Sequence, residues 1–158
     1  MRVPHDSFVL VADGRKMLFF RNEGDAEFPN LAIERKRVDD NPPDREQGSD
    51  RSGRAFVSAG SPRTGSAVSA GAHNRSAYSE TDFHQLEEDR FAAEAAKMLN
   101  ARALRNEFES LVVVAPPKTL GEMRRHYHKE VEKRLAAEVP KDLTNLPVEE
   151  IERILQAQ

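Results

Sequence analysis

Leu111 to Ala115 reads LVVVA, five apolar residues with no polar alternation, and Pro116-Pro117 closes the run. A strand of this kind has to bury both faces, as a strand does in the middle of a sheet flanked by helices. Neither proline can donate a ladder hydrogen bond, and Pro117 is suited to open a helix, where its missing N–H costs nothing. The run therefore predicts the middle strand of an α/β sheet, followed directly by a helix.

Upstream, Phe8–Ala12 and Lys16–Arg21 are two more apolar runs, separated by Asp13-Gly14-Arg15. An Asp-Gly step between such runs is a strong hairpin signal. Leu31–Val38 is apolar at 31 and 33 but charged from 34 to 37, which predicts a strand near an edge, where charge discourages further pairing. Residues 39–47, DDNPPDREQ, admit no regular element.

From Gly48 to Ser79, twenty of 32 residues are Gly, Ser, Ala or Pro, too few large apolar groups to offset the entropy of ordering. This predicts a flexible Gly/Ser/Arg loop over about 39–79. Its 48–79 part holds Arg51, Arg54, Arg63 and Arg75 against one acid, Asp50, within a chain of net charge −3. Two readings stand, a linker and a loop that binds an anionic partner.

Ser79 and Asp82 make a capping-box pattern, which predicts a long helix from Ser79 to about Arg105. Phe91, Ala92, Ala95, Ala96, Met98, Leu99 and Ala103 share one face at helical spacing, rich in alanine for close approach to a sheet. Phe83 and Leu86 fall off that face, which makes them a candidate interaction surface. After the Pro-Pro step, Lys118–Tyr127 reads as a helix. For residues 128–139, periodicity and composition suit a continuation of the helix, whereas Pro140 and the polar KDLTN that follow also suit a short final strand at Leu135–Val139. Pro147 begins a last amphipathic helix carrying Val148, Ile151, Ile154 and Leu155.

At 158 residues one domain is the expectation. The absence of cysteine removes disulfides, thiolate nucleophiles and cysteine zinc sites. The N-terminal apolar run, Phe8–Ala12, is too short for a signal peptide or a membrane span, so the expected location is the cytoplasm.

No constellation specifies a reaction. Lys118-Thr119 lacks the glycines of a phosphate-cradling loop, and the preceding prolines remove the donors such a loop needs. His84 and Glu88 are four apart on a helix but have no third ligand, so a solvated histidine beside carboxylates is the expected reading and no metal is implied. His126 and His128 point to different sides of a helix. No GxSxG elbow supplies a serine nucleophile. Catalytic residues and cofactors are therefore both expected to be none.

Five groups of residues carry a likeness to a known family. They are Ala12-Asp13-Gly14, Asp50 to Phe56 (DRSGRAF), the opening of the long helix through Phe91, Val114-Ala115-Pro116-Pro117, and Lys141-Asp142-Leu143-Thr144. In this order and spacing the chain resembles the bacterial host-attachment protein family, which is similar to the middle domain of archaeo-eukaryotic peptide-chain release factors. The resemblance implies a mixed ribonuclease-H-like sheet in one domain spanning 1–158, with a strand at about 135–139. It also implies that 48–79 stands where release factors carry the Gly-Gly-Gln tip that triggers peptidyl-tRNA hydrolysis. That tripeptide is absent, and Gln47 follows Glu46, so hydrolysis is not carried over. The expected partners are RNA or the ribosome, met by the four arginines, with a protein partner as the alternative and a hydrolase least favoured.

Overall fold

The structure, a computed structural model, describes residues 1–38 and 74–158, the side chains of 74–80 excepted. The chain divides into a unit of residues 1–39 and 85–158, which holds the sheet, and a unit of residues 40–84. In order the elements are β1 (Phe8–Ala12), β2 (Lys16–Asn22), β3 (Leu31–Val38), α1 (Asn74–Leu104), β4 (Leu111–Val114), α2 (Pro117–Arg124), α3 (Lys129–Arg134), β5 (Leu135–Val139) and α4 (Val148–Gln156).

The five strands form one mixed sheet in the order β3-β2-β1-β4-β5. β2 runs antiparallel to both β1 and β3, whereas β1, β4 and β5 run parallel. The apolar run β4 is buried on both faces, but the middle place belongs to β1, so that expectation is corrected. The parallel pairing of β4 with the chain's first strand is non-local, and the composition of β4 does not encode it. β3 is an edge strand, as its charges predict.

A register shift opposite Phe19/Phe20 leaves Glu34 without a cross-strand partner and changes which residues of β3 face each side. Thereafter Arg37 faces α1 and bonds Glu94 at 2.6 Å, while Lys36 joins Leu31 and Ile33 on the opposite face.

Strand alternation sorts the core into two layers. On one side Phe8, Leu10, Phe19, Leu111 and Val113 meet Phe91, Ala92, Ala95, Ala96, Leu99 and Ala103 of α1, which is the face predicted from helical spacing. On the other, Val9, Val11, Phe20, Val112 and Val114 meet Ile151 and Leu155 of α4. Each large side chain removed fully from water contributes about 1.5–3 kcal/mol. Arg102 caps the first layer at its edge, with its guanidinium 4.8 Å from the Phe8 ring centre and 2.8 Å from Glu34.

Two helix boundaries differ from the sequence reading. α1 begins at Asn74, so Ser79 is an interior helical residue rather than its cap, and residues 74–79 do not belong to an irregular loop. The Gly- and Pro-free stretch after Gly71 permits those added turns. At the other end Asn106, at φ 55°, takes the left-handed position. Bonds from Asn106 N–H to Ala103 and from Glu107 N–H to Arg102 complete a Schellman stop there. α2 ends at Arg124 rather than Tyr127, because the Asn100 side chain donates to His126 C=O and accepts from His128 N–H, holding that segment off helical geometry. Residues 128–139 are not a continuation of α2: they form a separate short helix and then the strand at Leu135–Val139. His128 caps α3 by accepting Glu130 N–H at 3.1 Å, and at Leu135 the backbone passes directly into β5.

Candidate functional site at the carboxyl end of the sheet

Val11, Val114 and Val139 lie side by side in the parallel register, so β1, β4 and β5 end together. In open α/β sheets this is the end where ligands bind. Three of the sequence motifs meet here: Asp13-Gly14 after β1, Pro116-Pro117 after β4 and Asp142 to Thr144 after β5.

Asp13 builds the hairpin turn. One carboxylate oxygen accepts the N–H groups of Arg15 and Lys16, each at 2.6 Å, and its own N–H donates to Lys16 C=O at 2.9 Å. The other oxygen lies 2.9 Å from the Thr144 hydroxyl, which is also 2.7 Å from Asp142 Oδ1. Lys16 Nζ then donates to Thr144 C=O at 2.7 Å. Two side-chain contacts thus join the first turn to the loop after the last strand.

Gly14 is required here by space rather than by backbone angle. A Cβ would stand 2.6 Å from Glu88 Cγ of α1, closer than a non-bonded contact allows, whereas its φ lies outside the left-handed region. The sequence reading finds Asp13-Gly14 for its turn chemistry and misses this close approach, for which nothing local is a signal.

Chemically the cluster is a tie. Thr144 is 1% exposed, so its hydroxyl is sealed from any substrate and serves to join two carboxylates. Among the described residues no group of three or more His, Asp or Glu side chains is placed to hold a metal ion. His126 Nε2 lies 3.1 Å from Glu122, and His128 is a helix cap, so these two histidines have separate structural roles.

Of the candidate binding arginines, Arg51, Arg54 and Arg63 lie outside the described residues, as does most of the expected loop. Arg75 lies in the first turn of α1. Leu86 is 64% exposed, and Phe83 is half-buried. No described helix is long and apolar enough to cross a membrane.

Electrostatics marks the rims of the fold. Burial opposes ionisation of Glu34, but hydrogen bonds from Arg21 and Arg102 outweigh it and hold the carboxyl below its usual range. At α3, the Arg134 hydrogen bond and then that of Lys133 bring Glu130 down to about 2.

A mixed five-stranded sheet with helices packed on both faces defines an α/β protein. The chain belongs to bacterial archaeo-eukaryotic release factor family 12, whose family model matches residues 6–155. No curated protein matches it.

Proposed function

We propose that this release-factor-family protein binds RNA or the ribosome through Arg51, Arg54, Arg63 and Arg75, works in the cytoplasm, and catalyses no hydrolysis. The observation that carries the reading is the composition of 48–79. In a family related to release factors, this stretch sets four guanidinium groups against one carboxylate and has no Gly-Gly-Gln. Guanidinium forks suit phosphate, and phosphate contacts give affinity without requiring a sequence code.

The strand order, with β2 alone antiparallel to both of its neighbours, supports a ribonuclease-H-like scaffold for this role. The tie of Asp13, Asp142 and Thr144 is consistent with that reading, because these motif residues hold two loops together at the sheet's carboxyl end.

A second reading, a protein-interaction module that affects attachment to host cells indirectly, is favoured by Leu86, which stands 64% exposed on α1. Pull-down of RNA and ribosomes from lysate at two salt concentrations separates the two, since phosphate contacts weaken steeply with salt and apolar contacts do not. Recovery of RNA that falls with salt supports the first reading. Salt-insensitive recovery of protein alone contradicts it.

A further inference from the structure

The two faces of the sheet are covered unequally. α1, α2 and α3 pack on one face, while α4 is the sole described helix on the other. A helix about 10 Å across spans about half of a five-stranded sheet roughly 19 Å wide. α4 seats Ile151 and Leu155 among the apolar residues of β1 and β4. Beside it, over β2 and β3, an open groove of about 510 Å³ remains.

Its floor is Leu18, Phe20 and Leu31, and Ile33 and Leu146 rise from its sides, 54% and 37% exposed. Lys16 and Lys36 stand among the described lining residues, which include no carboxylate. Lys16 meets a backbone carbonyl, and among the described residues Lys36 makes no ion pair. At the Leu31 side, Glu152 accepts the Leu31 N–H at 2.7 Å. An apolar trough flanked by the exposed Lys36, which makes no ion pair among the described residues, is complementary to an apolar ligand that carries acid. The trough is open along its length, so a small molecule seated in it would leave most of its surface in water, contrary to the usual pocket. A polypeptide covers such a surface.

We propose that the groove between β2–β3 and the 144–148 segment docks a partner polypeptide that places a bulky apolar side chain against Ile33 and Leu146 and a neighbouring Asp or Glu against Lys36. The apolar anchor supplies affinity and the carboxylate sets register. The proposal does not rest on the RNA reading.

The test selects displayed random peptides of about ten residues on the full chain and measures the affinity of synthetic copies by fluorescence anisotropy. Ile33→Ser and Lys36→Glu, both at exposed positions, are compared with the wild type and with Arg125→Glu, at the 77% exposed side chain of Arg125. Matching melting temperatures establish folding. The expected peptides pair a large apolar residue with an acid and lose about tenfold or more in affinity with either groove variant and none with Arg125→Glu. Exchanging the peptide's acid for lysine restores binding to Lys36→Glu. The proposal is overturned if no peptide is enriched, if the enriched peptides lack acids, or if they ignore both substitutions. It is equally overturned if an oligouridylate displaces the peptide and is itself weakened by Lys36→Glu, which assigns the groove to nucleic acid. Self-association of the chain abolished by Ile33→Ser assigns it to a second copy and also refutes the proposal.

Discussion

Thr144→Val tests whether the two ends of the sheet's chain path are held together by one buried hydroxyl. Valine keeps the shape of threonine and removes the oxygen that lies 2.9 Å from Asp13 Oδ2 and 2.7 Å from Asp142 Oδ1. The hydroxyl carries one proton and donates to one carboxylate at a time, so a single charge-assisted bond is lost outright, worth about 1.5–3 kcal/mol. Asp13 keeps its two bonds from Arg15 and Lys16 N–H, and Asp142 keeps that from Thr144 N–H, so neither carboxylate is left bare. For a domain of this size 1 kcal/mol moves the melting temperature by about 2–4 °C, and the expected fall is therefore about 3–12 °C. Thr144→Ser, which keeps the hydroxyl and loses one methyl group, should cost about 1 kcal/mol or less. Thermal unfolding followed by circular dichroism reads both. A valine variant as stable as the wild type, or less damaged than the serine variant, refutes the tie.

Gly14→Ala should destabilise by about 1–3 kcal/mol through the contact with Glu88, and much less on a Glu88→Ala background; equal losses on both backgrounds in a denaturant double-mutant cycle would remove the steric account. Val113→Asp places an unpaired carboxylate at a fully buried position and should abolish folding, so a soluble variant with an unchanged melting temperature would contradict the placement of β4. The depressed carboxyl of Glu130, and Glu34 in the same direction, give stability that is complete above the ordinary value of 4.5 and is lost as pH falls toward about 2. Glu130→Gln should flatten that acid limb in melting curves taken across the window, and an unaltered limb would show that the Arg134 and Lys133 contacts contribute nothing there.

The elements legible in the sequence were those whose signal is local. Asp13-Gly14 between two apolar runs marks the hairpin, LVVVA marks a strand buried on both faces, and the alanine-rich spacing of Phe91 to Ala103 marks the buried face of α1. Signals that depend on distant partners were not legible. In LAAEV, a run of helix formers, the pattern leaves helix and strand open and the family resemblance implies the strand; pairing with β4 decides it, so tertiary pairing overrides propensity. The capping-box pattern at Ser79 competes with helix-permissive residues on both sides, and the helix runs through it. At the sheet's carboxyl end, Asp13, Gly14, Asp142 and Thr144 stand in the sequence motifs, but their contacts join opposite ends of the chain and leave no periodic trace. The groove beside α4 depends on which sheet face a short helix leaves uncovered, and no single segment carries that information.

The most direct measurement for the proposed function is the salt dependence of RNA affinity for the wild type and for the variant with Arg51, Arg54, Arg63 and Arg75 replaced by alanine. Each phosphate contact on a single strand contributes about −0.7 to the slope of log K against log salt. The account predicts weaker binding and a slope shallower by up to about 2.8 in the variant, with the melting temperature nearly unchanged. An unchanged affinity and slope would contradict it.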